Sequence, residues 1–319
     1  MAENKKRRHH FVSQSYLKAW KDGNKVWCLR ETVFPVATGG IALLRDFYRL
    51  ERLTSGEVKF LLYTIENAFP KELVSVHKRT LMMHLRPFMW EDYLRKENLY
   101  FGDIAAEVDR VINDTDENFH DKIEGGVAQI CLQSVVAGNI SFWANMPKKF
   151  AFLHFISLQY FRTKRMADAV TAQSPIFSEL KKAKELDLDM ARMWRVNRLM
   201  LAHNVAHSLV YDPEYELVLL ENLSGVPFIT GDNVAVNTYS VDQSTEAPTE
   251  YEFYYPVSPR YAALVTKRQV LSSRETVNAV TAHEYNVMMM KVAQEMIFSS
   301  NKEQLDQYAE YFLSKKGRI

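Results

Sequence analysis

Cysteine is almost missing from this 319-residue chain: Cys28 and Cys131 stand far apart, with no paired spacing. A disulfide framework or a cysteine zinc site is therefore not expected, and a reducing interior is the easier home. Long hydrophobic runs are missing too. No stretch of about 18 uninterrupted apolar residues occurs, so neither a transmembrane helix nor a membrane partner is expected. The basic start runs into His9-His10 and alternating polar residues without an apolar h-region, unlike a signal peptide, and a cytoplasmic location is expected. No charge sign dominates. Lys and Arg number 40 against 39 Asp and Glu, a formal net charge of +1, so any nucleic-acid contact must come from a local basic patch. Gly-x-Gly-x-x-Gly, Walker, Gly-x-Ser-x-Gly and kinase signatures are absent as well.

What is present is core-forming material. With 47% hydrophobic and 12% aromatic residues the chain can bury a sizeable core. Its length fits one large domain over 1–319, with sub-regions at 1–55, 56–212 and 213–319. Behind the cations Lys5 to Arg8 come Phe11, Tyr16, Leu17 and Trp20, which gain free energy only when buried, so the start is expected to pack inward. Residues 25–30 read as a strand, 31–46 as a loop and 47–50 as a short apolar piece. Helical periodicity begins near Gly56, with breaks expected at Pro70 and Pro87. One or two helices follow over 103–139, interrupted at Gly125-Gly126, then helices near 148–172 and 176–210. Strand signals dominate beyond Asp212-Pro213: 215–220, 226–230, 234–239, 250–255 and 261–265, with 286–292 and 295–298 as further candidates. A polar helix over 302–313 closes the chain. The expected class is α+β: a predominantly helical N-terminal and central region with a β-rich C-terminal third.

Several patches carry potential chemistry. At about 100° per residue, His154, Arg162 and Arg165 fall within an arc of about 80° on an apolar helix. Arginines there need anions, either an internal carboxylate such as Glu66 or Asp232, or a bound phosphate or carboxylate. Thr230-Gly231-Asp232-Asn233 places a carboxylate and an amide at a strand end, which suits an orienting or metal-binding role and equally a plain turn. His203 and His207, four apart, share a helix face and could reach one metal. Arg198 and His203 fit the loose Arg-x4-His spacing that resembles the ribonuclease motif of HEPN domains, with Leu199 where a polar residue is usual.

Four segments resemble the bacterial domain-of-unknown-function family 4238, in its order. They are His-His-Phe-Val-x-Gln-x-Tyr-Leu-Lys at His9 to Lys18, Arg-Thr-x-Arg at Arg162 to Arg165, Phe-Ile-Thr-x-Asp-Asn at Phe228 to Asn233, and Tyr-x-Pro-x-Ser-Pro at Tyr254 to Pro259. Ser13 stands in place of a proline, and Gly231 and Val234 replace a serine and a proline. The resemblance groups these patches without naming an activity.

If the patches converge, they suit chemistry on a phosphate ester. His10 would move a proton, with His9 a ligand or orienting group. Arg162 and Arg165 would neutralise charge, and Asp232 would hold a divalent metal or orient a histidine. Gln14, Tyr16, Thr230 and Asn233 complete the expected ligand contacts. The function expected is a nuclease or phosphodiesterase, acting in bacterial defence or as a toxin, with the cationic leader steering nucleic acid. The alternatives are a non-catalytic module for an anionic ligand, such as a nucleotide or nucleic acid, and a protein-interaction regulator.

Overall fold

The computed structural model describes residues 5–163, 165–167, 188–241, 250–269 and 272–317. The chain opens with β1 (Arg8–His10), one helical turn α1 (Gln14–Leu17), the hairpin β2 (Val26–Leu29) and β3 (Val33–Val36), and β4 (Leu43–Arg45). Helices follow: α2 (Ser55–Asn67), α3 (Val74–Lys96), α4 (Gly102–Glu124), α5 (Val127–Val136), α6 (Met146–Phe161) and α7 (Met190–Tyr211). The remainder is β5 (Glu216–Asn222), β6 (Thr230–Gly231), β7 (Val236–Asn237), β8 (Phe253–Pro256), β9 (Tyr261–Thr266), β10 (Arg274–Val277), α8 (Ala279–Val292), β11 (Ile297–Ser299) and α9 (Lys302–Lys315). Helices fill the centre and strands concentrate in the last third, so the class is α+β.

Three sheets organise the strands of the described residues. β1 pairs with β4 alone; one sheet runs β10-β5-β9-β8-β7 and another β3-β2-β11-β6. Among the described residues only the β5–β10 pair is parallel. The N-terminal hairpin thus joins the C-terminal strands through β2 and β11. Val12, Leu17 and Trp20 are fully buried and share one core with α5, α6, α7 and the β5-β9-β8 sheet. The start of the chain packs inward, as its aromatics require.

Local chemistry explains most boundaries. Thr54 and Glu57 form a reciprocal capping box at the start of α2. Asn145 and Asn278 accept backbone N–H bonds at the starts of α6 and α8. Gly125-Gly126 separates α4 from α5 as expected, and α7 ends before Asp212.

Some expectations fail for identifiable reasons. β3 lies in the expected loop and contains Pro35, which an edge strand tolerates because its outer N–H positions need no partner. α3 runs through Pro87 instead of stopping there. The expected strand 286–292 is the second half of α8, whose apolar Met289 and Met290 are buried on a helical face. The strands expected at 226–230 and 234–239 shrink to β6 and β7, and β1, β4 and β10 were not expected. The helices expected at 148–172 and 176–210 are described only as α6, the short stretch 165–167, and α7. Residues 168–187, with the charged Lys181 to Glu185, lie outside the described residues.

Candidate functional site

Arg162 is where the N-terminal segment is pinned. It caps the C-terminus of α6 and is 4% exposed. Its Nε donates to the Phe11 carbonyl at 3.1 Å, one Nη to the His10 carbonyl at 3.0 Å, and the other Nη to Glu124 at the end of α4. A buried guanidinium needs this degree of satisfaction. The internal carboxylate is therefore Glu124, neither Glu66 nor Asp232. Glu66 pairs with Lys78 at the surface, 2.5 Å away. Below lies Tyr48, with the Arg162 and Arg198 guanidinium carbons 5.9 and 5.2 Å from its ring centre and the His9 ring stacked at 5.7 Å.

The histidine pair divides its roles. His9 is fully buried. Its Nδ1 accepts from the Tyr48 N–H at 2.8 Å, which leaves the proton on Nε2 to donate to the Lys6 carbonyl at 2.9 Å. Burial pushes its pKa down, so His9 is a neutral clamp holding β1 in place, not a free ligand. His10 alternates to the opposite side of β1 and faces a cavity of about 360 Å³. Its Nδ1 is buried without a hydrogen-bond partner among the described residues. Burial, then the charges of Arg8 and Arg162, lower its pKa below the ordinary histidine value.

The cavity walls come from the N-terminal segment and α4. Gln14 lines it with His10, and Arg162 forms part of its base. α4 contributes Glu117, Asp121 and Glu124, which one helix face brings together at steps of four and three residues. Glu124 is held by Arg162, and Asp121 by Lys6 at 2.5 Å. Glu117 makes no hydrogen bond among the described residues. Burial first, then repulsion from Asp121, raises its pKa to about 7 against the pull of Arg162 and Lys6. A carboxyl group whose pKa is raised to about 7 and an imidazole whose pKa is lowered therefore share one cavity.

The other expected site residues lie elsewhere. Arg165 donates to the Ser240 carbonyl at 3.3 Å and does not line the cavity. Asp232 accepts from the backbone N–H groups of Gln294, Glu295 and Met296 at 2.8, 2.6 and 3.3 Å, fixing the turn between α8 and β11. With Asn233, which donates to the Val292 carbonyl, it borders a separate cavity of about 200 Å³. Tyr16 donates to the Pro256 carbonyl at 2.6 Å, and its oxygen lies 2.8 Å from the Thr230 hydroxyl. Trp20 donates to the Phe228 carbonyl at 3.0 Å. The four sequence segments do meet, but largely through bonds that staple the N-terminal segment down.

Most of the basic leader is paired. Lys5 pairs with Asp109, Lys6 with Asp121 and Arg7 with Asp46, while Arg8 is exposed and donates to the Gly39 carbonyl at 3.2 Å. Arg198 is buried against Asp116 and His120, whereas His203 sits at 5.0 Å from the His154 ring; the Arg-x4-His pair does not act as a unit. His207 packs on Tyr211. Among the described residues no group of three or more His, Cys, Asp or Glu side chains is placed to hold a metal ion. Likewise, none of the described helices is long and apolar enough to cross a membrane. Sequence reasoning missed Glu117, Asp121, Glu124 and Tyr48. The 117-121-124 spacing on one helix face was the available signal.

No curated protein and no solved structure matches this chain. The pattern of one family, described as protein of unknown function (DUF4238), matches residues 8–303. That span takes in all four segments and both walls of the cavity, and the chain belongs to this family.

Proposed function

We propose that the cavity under β1 is a hydrolytic acid–base site acting on phosphodiester bonds, with nuclease activity as the form to test first. One observation carries this reading: His10 and Glu117 share a cavity, the His10 Nδ1 has no hydrogen-bond partner, and the Glu117 carboxyl makes no hydrogen bond among the described residues. Near pH 7 His10 is the neutral base and Glu117 is partly protonated. Gln14 and the neighbouring serines supply hydrogen bonds at the mouth. The acid lining sets a condition. A phosphate would enter only with a counter-charge, so turnover would require a divalent cation arriving with the substrate.

The same lining favours a second reading, in which the cavity binds a cationic ligand without turnover. Labelled RNA and DNA incubated with Mg²⁺, Mn²⁺ or EDTA separate the two. Cation-dependent cleavage that falls about 100-fold or more in both His10→Ala and Glu117→Gln is expected. Absence of cleavage, or cleavage indifferent to both substitutions, defeats the hydrolytic reading. Thermal stabilisation by spermidine that disappears in Glu117→Gln would then establish the binding one.

A further inference from the structure

A second surface lies on the opposite side of α4 from this cavity. α3 presents Arg79, Met82, Met83, Arg86 and Trp90 along one face, at the three- and four-residue steps that align side chains. With Val111 and Thr115 of α4 they line a groove of about 440 Å³. Position 115 is separated from 117 by about 200° around the helix, which is why groove and cavity do not merge.

Charge is what distinguishes this groove. Its lining contains Lys78, Arg79 and Arg86 and no carboxylate. Nearby cations are paired: Lys78 with Glu66, Arg52 with Glu91 and Asp92, Arg95 with Glu91. Arg79 and Arg86 are exposed, and no carboxylate lies within ion-pairing distance of either among the described residues. They stand seven positions apart, about 10.5 Å along the helix. One turn beyond Arg86 stands Trp90, 58% exposed, with Tyr93 61% exposed beside it. Large aromatic faces left in water next to unpaired guanidinium groups are the elements of a stacking platform with phosphate contacts. Pro87 adds an acceptor, because a residue without an N–H leaves the Met83 carbonyl without its helical partner.

We propose that this α3–α4 groove binds single-stranded nucleic acid, its bases stacking on Trp90 and its phosphates meeting Arg79 and Arg86. The groove is distinct from the cavity, and binding here requires no hydrolysis there. The test uses the full chain in EDTA, where no cation-dependent cleavage occurs, with fluorescein-labelled (dT)20 and (U)20 read by anisotropy. Both oligonucleotides bind, and affinity falls as salt rises. Arg79→Glu with Arg86→Glu weakens binding at least tenfold. The milder Arg79→Gln with Arg86→Gln lowers the slope of log affinity against log salt by about 1.4, as loss of two phosphate contacts demands. Trp90→Ala weakens binding severalfold at unchanged salt slope.

Lys21→Glu with Lys25→Glu, an equal charge change on another surface, leaves binding intact, and so do His10→Ala and Glu117→Gln. Circular dichroism melts confirm that each variant is folded. Absence of oligonucleotide binding, or binding equal in the Arg79/Arg86 variants and the wild type, overturns the proposal. Capture of a labelled Leu- and Glu-rich helical peptide in place of the oligonucleotides would overturn it too, and assign the groove to an acidic protein segment.

Discussion

Tyr16 joins three distant stretches with one oxygen, donating to Pro256 and lying within hydrogen-bonding distance of Thr230. Tyr16→Phe removes that link and leaves the Pro256 carbonyl unpaired, a loss of about 1–2 kcal/mol measured by urea unfolding. Arg162→Met is the more damaging change. It strips Glu124 of its counter-charge and frees two carbonyls of the N-terminal segment, so a loss of about 3 kcal/mol and faster trypsin cleavage at the leader are expected. Glu117 behaves in the opposite sense. Its folded pKa of about 7 exceeds the ordinary carboxyl value, so folding holds the proton and stability falls as pH rises from 4.5 towards 7. Glu117→Gln should therefore raise the melting temperature above pH 7, with the gain vanishing near pH 4.5; a gain independent of pH would contradict this origin. His10 and Arg162 were legible as candidates because a histidine pair behind cations and an arginine on an apolar helix are each anomalous in sequence. Glu117 was not, since its burial arises only when the fold brings α4 against the N-terminal segment. Asp232 looked like a ligand for the same reason it is a good turn-former: a carboxylate after glycine accepts backbone N–H groups readily.

Elements were legible where side chains repeat with a period and illegible where tertiary position decided. The capping asparagine at 278 and the Met289–Met290 pair fit α8, yet the β-favouring composition of 286–292 suggested a strand. Tertiary burial of one helical face settled the matter. Asn278→Ala, which removes the bond accepted from Thr281, should cost about 1 kcal/mol and leave β11 paired. Pro35 and Pro87 teach the same lesson from opposite sides. Proline forbids a central strand position and a well-bonded helix interior, but β3 is an edge and α3 carries its missing bond at the groove. Short strands such as β1, β4 and β10 have too few residues to show a period at all.

At the scale of the molecule, helices α3, α6 and α7 bring His77, His154 and His203 together without a counter-charge, and burial holds His154 at about 3 and His203 at about 4. The unfolded chain would take up those protons near pH 6.5, so it binds more protons than the folded one below that value. Stability should fall as pH drops from 6.5 towards 4, by about 1 kcal/mol per pH unit from His154 alone. A melting profile flat over that window, or one that His154→Gln does not flatten, would refute this. The division into a helical centre and a β-rich end was visible in composition. The joining of the first hairpin to the last strand was not, because nothing local in β2 specifies β11 as its neighbour. That pairing has a consequence for the chain as it leaves the ribosome. Trp20 and β2 emerge first but cannot close until Phe228 and residues 297–299 have been made, so the nascent protein carries an open sheet edge and a bare indole throughout synthesis. Translation halted before residue 297 should yield a product that aggregates, whereas synthesis through β11 supplies the strand that β2 lacks.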